Sequence, residues 1–91
     1  MTGKVGKAGT SSKGDAEVEF QEATGGGLEI DIVPAPPEEG STDGEAIDAE
    51  LRELLADMEV ESCRVTVRDH GAQGWVARAR LEAAVRRSGV M

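Results

Sequence analysis

The stretch ESCRVTVRDHGAQGWVARARLEAAVRR, Glu61–Arg87, decides the fold that this sequence predicts. Near its beginning lies CRVTVR, 63–68, in which apolar and polar residues alternate as they do in a strand with one buried face. Asp69-His70-Gly71 is a turn signal. Trp75–Ala79 then resembles a short further strand. From Ala79 to Arg87 the apolar residues recur at helical spacing, so the stretch predicts strand, turn, strand and helix.

Two more strands are predicted upstream of this stretch. Residues 16–20 and 28–32 each alternate apolar and polar side chains, the signature of a half-buried strand. Thr24–Gly27 lies between them and predicts a turn, so we expect the two strands to form a hairpin. The run of three glycines lacks the spacing of a phosphate-binding loop.

An amphipathic helix is predicted over residues 43–58, because its apolar residues recur at helical spacing. Thr42 and Glu45 fit a capping box at its beginning, and Gly89 is the expected C-cap of the last helix. The expected order is β-β-α-β-β-α. It predicts an α+β fold, a small antiparallel sheet with two helices packed on one face. Residues 1–14 are expected to be a flexible N-terminal segment and residues 15–91 a single domain.

The composition excludes several classes of function. The chain has 91 residues and a net charge of −8, with sixteen acids against one arginine in residues 15–61. An acidic chain with 2% aromatic residues is not suited to binding nucleic acid. No apolar run approaches the length of a membrane span, so no membrane association is expected. The acidic region suits either solvation or a basic partner surface.

The sequence contains no credible catalytic or metal site. The single histidine, His70, is predicted to be an exposed turn residue rather than a base. The single cysteine, Cys63, is predicted to be a small buried apolar residue, which fits a reducing cytoplasm. One histidine and one cysteine cannot make a structural zinc site, and the acids lack calcium-loop spacing. Four arginines could clamp an anion or pair with the chain's own acids, the reading we favour: Arg64, Arg68, Arg78 and Arg80.

Two segments of the chain carry a resemblance to a known family. Asp69-His70-Gly71-Ala72 and Arg78–Ala83 (RARLEA) follow the D-x-G-A turn and the R-A-R-L-E-A helix of citrate lyase acyl carrier proteins, the gamma subunits of that enzyme. Near the N-terminus, AGTSSKGD (Ala8–Asp15) resembles the family's A-G-T, two further residues, and Ser-Gly-Asp. The order and spacing of the motifs are kept over most of the chain. The malonate decarboxylase carrier is a more distant resemblance.

The resemblance implies a non-catalytic acyl carrier subunit of a citrate-lyase-like complex. In that family a serine of the N-terminal loop bears a prosthetic group derived from 2'-(5''-triphosphoribosyl)-3'-dephospho-CoA, so that the carrier is a phosphoprotein. The implied partners are the transferase (alpha) subunit, the lyase (beta) subunit and the enzyme that attaches the group. The implied location is cytoplasmic.

This sequence departs from the family pattern at the attachment position, where Lys13 replaces the serine before Gly-Asp. Four readings remain open at this point. Ser12 accepts the group after a shift of one residue, which keeps the family chemistry and is the one we favour. In the second reading, Lys13 carries a different group through an amide, as lysine carriers of biotin and lipoate do. In the third, the chain is an unmodified structural or assembly paralogue. In the fourth, the lysine blocks modification.

Overall fold

A computed structural model describes residues 3–90. Within that range the chain forms four strands and two helices, with a short 3₁₀ turn at Pro37–Glu39. The elements, in chain order, are β1 (Val5–Ala8), β2 (Ala16–Glu22), β3 (Leu28–Val33), α1 (Gly44–Asp57), β4 (Cys63–Asp69) and α2 (Gly74–Ser88).

Strand β4, the first element of the stretch quoted above, lies inside the sheet. The strand order is β1-β2-β4-β3. Strand β2 is antiparallel to both β1 and β4, whereas β3 is parallel to β4. A parallel pair needs a crossover connection, and α1 supplies it between β3 and β4.

The core lies between one face of the sheet and the two helices. Alternate residues of β2 and β4 are buried, and register places Val18 beside Val67 and Phe20 beside Val65. The helices contribute apolar side chains at helical spacing: Ile47, Leu51, Leu54, Leu55, Ala77, Leu81, Ala84 and Val85. The opposite face of the sheet is polar, as expected when one side of a sheet is solvated.

The structure confirms the α+β class, the two helices and three of the predicted strands. The hairpin predicted between residues 16–20 and 28–32 is wrong, because β4 inserts between β2 and β3. The sheet is therefore mixed rather than wholly antiparallel. Strand β1 falls in the segment predicted to be flexible and pairs with β2. Residues 1–2 and 91, at the ends of the two predicted segments, lie outside the described residues.

The fourth predicted strand, Trp75–Ala79, is wrong. These residues form the first turns of α2, which begins at Gly74. Five mostly apolar residues fit a short strand, but Ala77 and Leu81 are both buried, so the segment continues the helical spacing of the residues that follow. Gly89 is the C-cap of α2 with a φ of 85°, as predicted.

Helix α1 confirms the prediction over residues 43–58, but its N-cap is Asp43 rather than Thr42. The Asp43 carboxylate accepts a hydrogen bond from the Ala46 amide at 3.1 Å. Thr42 instead uses its hydroxyl elsewhere: it accepts from the Ala35 amide at 2.7 Å and donates to Asp69 at 2.6 Å. The predicted capping box is therefore absent.

Gly6 in β1 lies in direct contact with the last turns of α2. A Cβ at this position would collide with the Ala84 carbonyl oxygen and the Ser88 amide nitrogen. Both are backbone atoms of a helix, so neither can rotate away as a side chain could. The absence of a side chain at residue 6 is what allows α2 to pack against β1.

We predict that Gly6→Ala lowers the free energy of unfolding by about 1–3 kcal/mol, the usual cost of overpacking. Gly44→Ala is the matched control, because a Cβ there meets nothing within 4 Å. Since Gly44 lies in the first turn of α1, this control should be neutral or slightly stabilising. Urea denaturation of both variants checks the prediction. Equal midpoints would contradict the packing described for Gly6.

Candidate functional site

The loop between β1 and β2, Gly9–Asp15, contains both residues that the sequence singled out for modification. We call it the attachment loop. Its tip is a four-residue turn closed by a 3.0 Å hydrogen bond from the Asp15 amide to the Ser12 carbonyl. Gly14, the third residue of that turn, has a φ of 89°, which only glycine adopts freely. Ser12 thus begins the turn and Lys13 occupies its second position.

Asp15 holds the attachment loop in place. Its carboxylate accepts hydrogen bonds from the Thr10 amide at 3.1 Å and the Thr10 hydroxyl at 2.7 Å. The Ala16 amide donates a further bond at 2.7 Å. Arg80 of α2 completes the set with a two-pronged ion pair, Nε to Oδ1 at 2.9 Å and Nη2 to Oδ2 at 3.0 Å. One carboxylate therefore ties both ends of the loop to a helix 65 residues away in sequence.

The charge state of Asp15 follows from these contacts. Burial by itself raises the pKa of this carboxyl group, because it disfavours the charged form. Hydrogen bonds from Arg80, Thr10 and the Ala16 amide outweigh the burial and lower the pKa to about 2. Asp15 is therefore ionised near neutral pH, and its charge is compensated by Arg80.

A second turn is hydrogen-bonded through its backbone to the attachment loop. This supporting turn, Asp69–Ala72, links β4 to α2. The Gly14 amide donates to the His70 carbonyl at 2.6 Å, and the His70 amide donates to the Asp15 carbonyl at 3.0 Å. Gly71 has a φ of 91°, and a Cβ there would collide with the carbonyl oxygen of Glu39. The D-x-G-A motif therefore forms the turn that packs against the attachment loop and is hydrogen-bonded to it.

His70 is not the freely exposed turn residue that the sequence predicted. Its side chain is 16% exposed, and its ring nitrogens lie 2.8 Å from two carboxylates, Glu17 of β2 and Glu39 of the 3₁₀ turn. Hydrogen bonds to Glu17 and Glu39 raise its pKa above the ordinary value. Since two acceptors face the ring, the doubly protonated imidazolium satisfies both. His70 therefore clamps the 3₁₀ turn to the sheet.

Asp69 is the other buried carboxylate of this region. It is 1% exposed and accepts from the Thr42 hydroxyl at 2.6 Å and from the Ala72 amide at 2.9 Å. It thus fixes the supporting turn and, through Thr42, the segment that precedes α1. Sequence reasoning assigned it only as a turn signal, and the separation of 27 residues from Thr42 leaves no local pattern that could reveal the contact.

The two predicted site residues lie at the exposed tip of the attachment loop. The Ser12 amide donates to the Thr10 hydroxyl at 3.2 Å, so its backbone is fixed through both its amide and its carbonyl. Its side-chain hydroxyl makes no hydrogen bond to any residue from 3 to 90. Lys13 is also exposed and makes no ion pair within the described chain. The geometry presents a free hydroxyl and a free amine next to each other.

The remaining chemistry-bearing residues lie apart from this loop. Arg64 pairs with Glu29 at 3.2 Å, and Arg78 pairs with Glu53 at 3.0 Å, so pairing with the chain's own acids is confirmed for these and for Arg80. The four arginines do not share one surface, because Arg64 and Arg68 face outward from β4 and the other two belong to α2.

Cys63 is 1% exposed, and burial raises the pKa of its thiol, as suits an unreactive core residue. Residues 3–90 include no group of three metal-ligating side chains placed to hold an ion. Neither described helix combines the length and apolar character needed to cross a membrane.

Comparison with known proteins identifies relatives over nearly the whole chain. A family model of acyl carrier proteins, described as malonate decarboxylase delta subunit (MdcD), matches residues 4–88. The chain is 35% identical over 85 residues to the citrate lyase acyl carrier proteins of Haemophilus influenzae strains PittGG, Rd and 86-028NP. The alignment covers 93% of this chain and 84% of each relative. The region that the family model matches contains both the attachment loop and the supporting turn.

We predict that Asp15→Asn lowers the free energy of unfolding by an amount that depends on pH. Because the folded-state pKa of Asp15 is about 2, below the usual 3.8, its contribution is fully present above pH ~4 and is lost as the pH falls through ~2. Allowing for solvent screening at the half-exposed Arg80, we expect a loss of about 1–2 kcal/mol near neutral pH. Urea denaturation of both proteins at pH ~6 and ~3 measures the difference. If the difference in free energy of unfolding is as large at pH ~3 as at pH ~6, the carboxylate charge of Asp15 does not stabilise the fold.

The loss of stability caused by His70→Gln should depend on pH in the opposite direction, being larger in acid than in alkali. A raised pKa in the folded state means that the contribution of His70 is fully present below the unfolded-state pKa of about 6.5 and is lost as the pH rises through the folded-state value. We therefore expect the variant to unfold more easily than the parent in weak acid and to match it in weak alkali. Thermal denaturation across that range checks the prediction. A constant difference at every pH would show that His70 acts without its charge.

Proposed function

Because the chain belongs to the family of citrate lyase acyl carrier proteins and malonate decarboxylase delta subunits, we propose that it carries acyl groups on a phosphoribosyl-dephospho-coenzyme A arm attached to Ser12. The observation that supports this assignment is the state of the Ser12 hydroxyl. It is exposed and makes no hydrogen bond within residues 3–90, while the backbone on both sides of it is held by Thr10 and Asp15.

The residues of the attachment loop fit such a group. A phosphodiester to serine needs a hydroxyl that a modifying enzyme can reach, and Ser12 meets this requirement. The ion pair between the buried Asp15 carboxylate and the half-exposed Arg80 keeps the loop in one shape before modification. Lys13 adds a positive charge next to the proposed phosphodiester, which favours the anionic linkage.

The arm supplies a thiol on which acyl groups travel as thioesters. This chain contributes no catalytic group to that chemistry: its residues hold the arm and present it. Tethering raises the effective concentration of the acyl group at each partner's active site. The proposed partners are the transferase (alpha) and lyase (beta) subunits of a citrate-lyase-like complex, together with the enzyme that attaches the group, all in the cytoplasm.

Lys13 supports a second candidate function, a carrier modified on lysine. It occupies the second position of the exposed turn, where its amine projects without an ion pair to any described residue. An amide-linked group at this position would be presented as freely as a phosphodiester on Ser12. A third candidate, an unmodified assembly protein of the same fold, needs neither side chain.

The proposal predicts that Ser12→Ala abolishes a coenzyme-A-derived mass increment. Intact-mass spectrometry of the protein from its native host, followed by sequencing of the 8–15 peptide, measures the increment. Ser11→Ala is the matched control, since Ser11 is an equally exposed hydroxyl of the same loop. Because neither hydroxyl makes a hydrogen bond within residues 3–90, both variants should fold like the parent.

The other outcomes identify the alternatives. An increment that survives Ser12→Ala but is lost in Lys13→Arg would assign the load to the lysine, since arginine keeps the charge but removes the amine. An unmodified parent protein, in a host that modifies a citrate lyase carrier, would overturn the carrier proposal. Loss of the increment in Ser11→Ala alone would move the attachment by one residue.

A further inference from the structure

A depression of about 430 Å³ lies directly beside the attachment loop. It is lined by Lys13, Gly14 and Asp15 of the attachment loop and by four residues of the first turns of α2: Trp75, Val76, Ala79 and Arg80. A group attached to Ser12 would therefore start one residue away from this lining.

Trp75 is the feature of this surface that the fold does not explain. It is 66% exposed, more than any other large apolar side chain described, and it is the only tryptophan of the chain. Its indole Nε1 donates to the Gln73 side chain at 3.1 Å, which leaves the ring face open. Burying an indole is favourable, and this one lines a depression together with Lys13 and Arg80, so it offers a stacking surface beside two cations.

The charged residues that line the depression, Lys13, Arg80 and Asp15, sum to one positive charge, which favours an anion. Trp75 favours an anion that carries a flat ring. Lys13 makes no ion pair within residues 3–90 and offers a free ammonium group. Arg80 binds Asp15 through Nε and Nη2, so its Nη1 remains without a hydrogen bond to any described residue. A flat ring over the indole with phosphates toward Lys13 and Arg80 matches this arrangement. A purine nucleotide has that shape and charge.

We propose that the adenine base of the attached arm stacks on Trp75, with its phosphates facing Lys13 and Arg80. This inference rests on the proposed function, since the arm supplies the nucleotide. Covalent attachment gives the base an effective concentration in the millimolar range at this surface, on the order expected for a short flexible tether. A weak stacking site is then sufficient to hold the base. The carrier keeps the nucleotide end fixed on α2 while the thiol end remains free to reach a partner.

The single tryptophan makes the proposal measurable without enzymatic activity. Trp75 emission of the unmodified protein is titrated with free 3'-dephospho-CoA, and with pantetheine as the matched ligand that lacks the nucleotide. We expect quenching that saturates in the millimolar range with dephospho-CoA and no quenching with pantetheine. In the modified protein, the acrylamide quenching constant should fall about twofold or more, as when a tethered base occupies the site for half the time.

Two variants test the individual contacts. Lys13→Gln should weaken the dephospho-CoA titration severalfold, because one charge-assisted contact to phosphate is lost. Lys7→Gln is the matched control, since Lys7 is an exposed lysine of β1 that does not line this depression, and it should leave the titration unchanged. In modified protein, Trp75→Leu should remove the ring-current shifts of the adenine protons in the NMR spectrum. Because Trp75 is exposed, this variant should fold like the parent, and circular dichroism verifies its fold.

The outcomes separate this inference from the proposed function. If dephospho-CoA quenches Trp75 emission but the native protein has no mass increment, the depression binds the nucleotide and the carrier proposal is overturned. A mass increment on Ser12 with equal acrylamide quenching before and after modification would overturn the stacking. If Trp75 of the unmodified protein is protected from acrylamide quenching and loses this protection on dilution, the depression around Trp75 binds a second copy of the chain. Protection that appears only after addition of a partner subunit would assign the depression to that subunit, and either result overturns the proposal.

Discussion

The Asp15–Arg80 ion pair is the interaction on which the functional loop depends. A buried carboxylate is stable only when its charge is paired and its oxygens accept hydrogen bonds. Asp15 meets both conditions with bonds from Thr10, Ala16 and Arg80. The pair joins the β1–β2 connection to α2, so the helix that completes the core also fixes the loop. Removing one partner would leave the other charge near the core without compensation.

The same contacts explain how the loop can be held in one shape while the side chains of Ser12 and Lys13 stay exposed. The hydrogen bonds that shape the loop are made by backbone groups and by the side chains of Thr10, Asp15 and Arg80. Beneath it, the supporting turn is fixed by Asp69 and His70, each bonded to a segment distant in sequence. The exposed side chains at the tip take no part in this support. A modifying enzyme can therefore engage them without unfolding the supporting turn.

The sequence predicted the local structure well and the long-range structure poorly. Alternation identified the strands around Val18, Ile30 and Val65, because one face of each is buried or partly buried. The false strand at Trp75 had no such alternation, since a run of five mostly apolar residues cannot distinguish a short strand from the start of a helix. The parallel pairing of β3 with β4 has no local signal. The resemblance to a carrier family pointed to Ser12, whereas the Asp15–Arg80 contact spans 65 residues and required coordinates.

The departure at residue 13 can now be understood in terms of what the loop requires. Residue 13 occupies the second position of the turn, and among residues 3–90 its side chain makes no hydrogen bond or ion pair to the groups that hold the loop. A lysine there therefore removes none of the hydrogen bonds that fix the shape of the loop around Ser12. What changes is the electrostatics, because the lysine adds a cation next to Ser12 and to the depression that Trp75 lines. For the proposed phosphate-bearing arm on a chain of net charge −8, that cation would offset the repulsion which the acidic chain would otherwise impose on the arm.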